Sequence, residues 1–186
     1  MEDSEQDVLR KTENDTVTKK DFFWKLGYLA IAGGVFLLDQ TTKAMVVKNL
    51  RFSDAYEMIP GFLNFAYAQN TGIAFSMLDD HGATGRWGLS IIGIIAATLV
   101  LYFFWRTPRS DDRMLGALAL LLAGIVGNVT DRLRFGFVID FIDVQIGSWH
   151  YPTFNIADMA IVCGAGLLIL DMVLSKRIGK SAASSQ

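Results

Sequence analysis

Along the chain, charged stretches alternate with long uncharged ones. Trp87 to Trp105 carries no charge, and neither does Met114 to Thr130. Leu26 to Val47 is apolar apart from Asp39 and Lys43 near one end. Ile156 to Leu174 is apolar apart from Asp158 near its start and Asp171 near its end. A helix needs about 20 mostly apolar residues to cross a bilayer. The pattern therefore predicts four transmembrane helices. A soluble helical bundle would show polar stripes at helical period, and Trp87 to Trp105 has none.

Two segments between the spans follow a different period. "FLNFAYA" alternates, putting Leu63, Phe65 and Tyr67 on one face, which predicts a short strand. "FVIDFIDV" is rich in β-branched and aromatic residues and predicts a second extended piece. If extended, it sends Asp140 and Asp143 to opposite faces, because their separation is odd. At most one of them then faces the helices, and periodicity does not say which.

Composition agrees with a membrane protein. Of 186 residues, 52% are hydrophobic and 19% charged, with a mean hydropathy of +0.33; ordinary soluble domains carry about 25% charged residues. A net charge of -2 gives no basic footprint for nucleic acid. The single cysteine, Cys163, allows no internal disulfide. Met1 to Asp21 is dense in charge and is expected to be a disordered tail. It lacks the basic start of a secretory signal peptide, so it is expected to be retained. Residues 22–178 are expected to form the membrane domain, and 179–186 a second tail.

Basic residues near the helix ends set an orientation. Lys19, Lys20, Lys25, Arg106, Arg109, Arg113, Lys176, Arg177 and Lys180 lie on one side. Lys48, Arg51, Arg86, Arg132 and Arg134 lie on the other. The richer side is expected to be cytoplasmic, with both termini. Asp39, Lys43, Asn70, Arg132, Asp140 and Asp158 then gather at the outer face.

Each polar group also has a structural explanation. Asp39 and Lys43 are four apart, acid first, and share a helix face; a structural ion pair near the interface explains them as well as a functional one. In "GIVGNVTDR", Asn128 and Arg132 share a face, Gly124 and Gly127 let a neighbouring backbone approach, and Asp131 is expected to point elsewhere. Arg132 suits an interface anchor, a lipid phosphate, a substrate carbonyl or a catalytic acid. In "NIAD", Asn155 and Asp158 suit a capping box or a pair aimed into the bundle. No zinc-ligand set or HExxH occurs, and His81 and His150 lie far apart. No metal or cofactor is expected.

"DQTTK" at Asp39, "NTGIAFSML" at Asn70, "GNVTDRLRFGFVIDFIDV" at Gly127 and "FNIADMAI" at Phe154 resemble, in order, the lipoprotein signal peptidases, or signal peptidase II. The resemblance implies an all-α membrane protein of four transmembrane helices with a small periplasmic β-like cradle and a periplasmic amphipathic helix. It implies an aspartic endopeptidase of the bacterial inner membrane that cuts prolipoproteins just before a diacylglyceryl-modified cysteine. Its catalytic pair maps to Asp140 and Asp158, and its supporting positions to Asp39, Lys43, Asn70, Gly124, Asn128, Arg132 and Asn155. The expected partners are those lipidated precursors and membrane lipids, with the enzyme acting as a monomer. Two other classes use intramembrane polar groups: small transporters or channels, and assembly factors held together by interhelical hydrogen bonds.

Overall fold

The structure, a computed structural model, describes residues 2–72, 83–147 and 149–183. The elements in chain order are α1 (Glu2–Leu50), β1 (Tyr56–Ile59), β2 (Leu63–Asn70), α2 (Ala83–Arg106), α3 (Asp112–Phe135), β3 (Val138–Ile146), β4 (Trp149–His150) and α4 (Ile156–Ala183). Four helices are long and apolar enough to cross a membrane, over Lys20–Leu50, Arg86–Arg106, Asp112–Phe135 and Ile156–Leu174. These contain the four spans expected from hydropathy. Part of "NTGIAFSML", from residue 73 on, lies outside the described residues, as does the segment to 82 where an amphipathic helix would be sought.

Helix α1 begins at Glu2, within the segment expected to form a tail. No glycine or proline occurs before Gly27, so nothing local stops a helix nucleated in the span below. Extending a helix costs far less than starting one. At the other end, α4 likewise continues through residues 179–183 to Ala183.

Helix α3 is the most enclosed, with half of its most apolar stretch buried against 11–17% for the other three. Lipid tails are as apolar as leucine, so helix association in a bilayer relies on close packing and polar contacts. Small residues make that approach possible. Ala117, Ala119, Ala123, Gly124 and Gly127 are all buried on α3. A Cβ at Gly124 would lie 2.7 Å from Ile161 Cγ1 and would collide with the Ala157 carbonyl. At Gly127 it would meet Asp39 Oδ2 at 2.8 Å. Larger apolar side chains, among them Phe104 and Leu115, fill the space between α1, α2 and α3. Ile91, Ile95, Leu99 and Phe103 on α2, and Val162, Ile169 and Met172 on α4, are exposed, as expected of surfaces bathed in lipid.

The strands form one antiparallel sheet in the order β1-β2-β3-β4. The chain leaves α3 through Gly136, whose φ of 88° is left-handed and whose N–H closes onto the Arg132 carbonyl. That tight turn starts β3 directly above the end of α3. A second connection follows β4: Phe154 bridges to Ile142 on β3, and α4 starts two residues later.

Replacing Gly124 with alanine should therefore lower stability by about 1–3 kcal/mol, the range for overpacking a tight contact. A Cβ at Gly34 would have nothing within 4 Å, so Gly34→Ala should not destabilise. Thermal unfolding of both variants in detergent micelles checks the pair.

Candidate active site

The site lies where the C-terminal parts of α1 and α3, the start of α4 and strand β3 converge. Its foundation is a buried ion cluster. Lys43 Nζ is 2.9 Å from Asp39 Oδ2 and 2.8 Å from Asp131 Oδ2, with all three side chains at most 2% exposed. Lys43 also donates to Asn128 Oδ1 at 3.3 Å. Gln40 Nε2 donates to Asp39 Oδ2 at 3.1 Å and to Asp131 Oδ1 at 3.0 Å. The remaining oxygen of Asp39 accepts the Ala157 N–H at 2.9 Å. One carboxylate on α1 thus neutralises a lysine and caps α4, where the helix dipole favours negative charge.

The start of α4 meets both explanations of "NIAD". Asn155 Oδ1 accepts the Asp158 N–H at 2.9 Å, and the Asn155 N–H donates to Asp158 Oδ2 at 3.2 Å. This is a reciprocal capping box. The same side chains also reach across the site. Asn155 Nδ2 donates to Asp140 Oδ1 at 2.6 Å and to Asn128 Oδ1 at 3.2 Å. Asn128 Nδ2 donates to Asp158 Oδ1 at 2.7 Å. Two asparagines therefore connect Asp140 on β3, Asp158 on α4 and Lys43 on α1.

The two strand aspartates separate as the odd spacing requires. Asp140 is 2% exposed and turns toward the helices. Its second oxygen accepts from Asn70 Nδ2 at 2.9 Å. Asp143 lies outside, 2.9 Å from His150 Nδ1 and accepting from Asn64 Nδ2 at 3.1 Å. The hydrogen bond with His150 holds its carboxyl below the usual range, helped by the one from Asn64. Burial pushes Asp140 the other way, up to about 6; the bonds from Asn70 and Asn155 oppose the rise and the nearby charge of Asp158 adds to it.

Both asparagine contacts on β2 depend on a bulge. Asn64 and Asn70 are six apart and would share a face in a regular strand, whereas their partners Asp143 and Asp140 face opposite ways. The β2/β3 register pairs Phe65 with Ile142 and then Ala68 with Asp140, so Ala66 and Tyr67 stand against Phe141 alone. The extra residue reverses the phase of β2. It also breaks the expected common face of Leu63, Phe65 and Tyr67 at its last member.

Every candidate in the described residues is in or beside this network. Arg132 lies within electrostatic reach of Asp158, Asp140 and Asp131, and its Nε is buried without a hydrogen-bond partner among the described residues. Gly124 supplies close packing rather than a polar group. Two members are not apparent from sequence. Asp131, expected to point elsewhere, is buried on Lys43 and accepts the Ile139 N–H at 3.2 Å. Gln40 joins the two carboxylates of the cluster. A signal for Asp131 was present: it follows Gly124 by seven residues and Asn128 by three, so it shares their helix face.

A groove of about 350 Å³ opens beside Asp158, lined by Tyr151, Phe154, Met159, Val162 and Cys163. Asp158 is the less buried of the two site acids. The arrangement joins a wet carboxyl, a dry one and an apolar surface.

A polar acid site at one end of a helical membrane bundle is compatible with an enzyme, and comparison with known proteins places the chain among membrane enzymes. The family description "Signal peptidase (SPase) II" matches residues 31–174. The chain is 41% identical to the lipoprotein signal peptidase of Alteromonas mediterranea over 79% of this chain and 80% of that protein. It is 43% identical to that of Syntrophus aciditrophicus, over 81% and 94%. A bacterial membrane enzyme solved by the in meso method at 2.3 Å superposes with a TM-score of 0.71 and 34% identity, over 81% of this chain and 89% of that one. The chain belongs to the signal peptidase II family and is a multi-pass membrane peptidase.

Removing one partner from a buried ion cluster leaves an uncompensated charge, typically at a cost of about 3–5 kcal/mol. Lys43→Met should lose stability on that scale, whereas Lys48→Met, at an exposed position, should lose little. Chemical or thermal unfolding in one detergent compares them; equal losses would remove Lys43 from its central role.

Proposed function

We propose that the chain is an aspartic endopeptidase of prolipoproteins. In this reading it cuts before a cysteine carrying a diacylglyceryl group, with Asp140 and Asp158 as its catalytic pair. The observation that carries the reading is the double asparagine bridge. Asn155 holds Asp140, and Asn128 holds Asp158. An acid on β3 and an acid on α4 are thereby tied into one network by two asparagines that are bonded to each other.

The two carboxyls share one proton, because like charges this close do not both ionise cheaply. Asp140, the more buried, keeps it. Asp158 receives N–H donors on both oxygens at a helix N-terminus, an arrangement suited to a carboxylate. Asp158 takes a proton from water as the water oxygen attacks the scissile carbonyl. Asp140 gives its proton to the carbonyl oxygen, producing a neutral tetrahedral diol. On collapse, Asp158 passes its proton to the leaving amine and Asp140 recovers one from the diol hydroxyl. Asn70 aligns Asp140, and Arg132 attracts the carboxylate or a substrate carbonyl. Asp39, Lys43 and Asn128 hold the frame, and Gly124 keeps α3 and α4 close.

The working unit is residues 22–178, active as a monomer in the bacterial inner membrane. Both termini are cytoplasmic and the site is at the periplasmic face, in keeping with the surplus of basic residues at the other end. The apolar groove beside Asp158 suits a substrate that arrives within the bilayer, as a helix bearing acyl chains. Membrane lipids complete its walls.

Purified protein incubated in proteoliposomes with lipidated precursor should release the shortened product. Unmodified precursor at the same density should be cut poorly. Asp140→Asn and Asp158→Asn should each lower turnover by at least about 10³-fold while the protein remains folded, since residues acting as a unit fail together. Asp143→Asn should keep most activity. Substantial turnover by either dyad variant would overturn the assignment.

The raised Asp140 also sets a pH dependence. Its proton is needed, so kcat/KM should fall as pH rises through the limb it sets in the free enzyme, starting from about 6. The Asn70 hydrogen bond favours the ionised form, so Asn70→Ala should move that limb to higher pH. A limb unmoved or shifted down would place the titration on another group.

A further inference from the structure

A second cavity lies on the opposite side of the ion cluster from the acids. Its volume is about 240 Å³, between the C-terminal parts of α1 and α3, and Gln40, Lys43, Ala44, Lys48, Asp131 and Arg134 are among its lining residues. Ile139 closes one wall. It precedes Asp140 on β3, so the two side chains leave the strand on opposite faces. The cavity and the acid pair are thus back to back.

The charges at this cavity are unequal. Lys43 and Asp131 line it as members of the ion cluster that Asp39 completes, and Lys48 and Arg134 are the two further charges on its walls. Asp131 is already committed to Lys43 and Gln40. Lys48 and Arg134 are exposed and have no ion-pair partner among the described residues. Both sit in the last turns of helices long and apolar enough to cross a membrane, which is where a span of that length would meet lipid headgroups. Complementing the two helix dipoles would account for a basic residue at each end. It does not account for the hollow between them, kept open by the small exposed Ala44, or for its apolar walls of Val47, Phe135 and Ile139.

We infer that this α1/α3 groove binds the phosphodiester of an anionic glycerophospholipid from the leaflet at its own end of the bundle. Lys48 and Arg134 clasp the phosphate from two sides, Arg134 with its planar donor fork. Buried Lys43 is neutralised by Asp39 and Asp131, so the attraction comes from Lys48 and Arg134. Val47 and Phe135 meet the first acyl carbons below the glycerol. An anionic headgroup is favoured over a zwitterionic one, because a second positive charge would face the same cations. The site is separate from the catalytic pair and does not rest on its assignment.

The test is a titration of the whole protein in neutral detergent with phosphatidylglycerol, read by native mass spectrometry. Phosphatidylcholine and inorganic phosphate form the comparison arms. Wild type should retain phosphatidylglycerol in preference to phosphatidylcholine, and inorganic phosphate should not displace it. The double variant Lys48→Gln with Arg134→Gln should weaken retention by roughly 30-fold, the effect of two basic groups beside an anionic lipid. Ala44→Phe, which fills the groove without altering charge, should weaken it comparably. Arg51→Gln, another basic residue on that side, should change nothing. The exchange Lys48→Arg with Arg134→Lys should retain binding, which separates lost charge from a damaged fold. The site is refuted if the glutamine pair binds like wild type or the exchange pair fails. Insensitivity to Ala44→Phe, or equal loss in Arg51→Gln, would reduce it to diffuse surface charge. Displacement by inorganic phosphate would make it a site for a free anion and overturn the lipid.

Discussion

A lysine ammonium with almost no access to water is the constraint around which this structure is arranged. Lys43 is 2% exposed, and a charge so placed is tolerable only with partners in good geometry. Asp39 comes from its own helix and Asp131 from α3. Two carboxylates to one lysine leave an excess of negative charge. It is relieved because Asp39 also caps α4 at Ala157, where backbone N–H groups and the helix dipole meet it. One cluster therefore fixes three helices at one height. In a bilayer, where apolar contact gives little preference between helix and lipid, such a polar clamp sets the register of the bundle.

The geometry of the acid site is built outward from that clamp. Lys43 orients Asn128, Asn128 holds Asp158, and Asn155 ties Asp140 to the start of α4. Each asparagine serves both as a structural cap or tie and as a site ligand. Structure and function cannot be assigned to different residues here, because the site includes the start of α4, whose free N–H groups need acceptors anyway. The close passage of α3 past α4 at Gly124 and Gly127 makes the short bridges possible.

The sheet contributes a different kind of control. A single extra residue in β2 lets Asn64 serve Asp143 on one face and Asn70 serve Asp140 on the other. The outcome is two aspartates, three residues apart, in unlike surroundings. His150 at the surface draws the carboxyl of one below the usual range; burial pushes the other up to about 6. The cavity behind Ile139 uses the same alternation, since the neighbour of the site acid faces away from it.

The four spans and both main strands were legible in the sequence, because hydropathic length and period are local properties of the chain. So were the i, i+4 pair of Asp39 and Lys43, the small residues at Gly124 and Gly127, and the two roles open to Asn155 and Asp158. The family motifs also selected Asp140 over Asp143, which periodicity alone left undecided. The tertiary structure decided the rest. It buried Asp131 on Lys43, a partner 88 residues away by sequence number. It set the bulge that gives each strand aspartate its own asparagine. These outcomes depend on which distant groups meet, and a buried charge or unpaired N–H is satisfied by whatever the fold brings within hydrogen-bond reach, however far away in the chain.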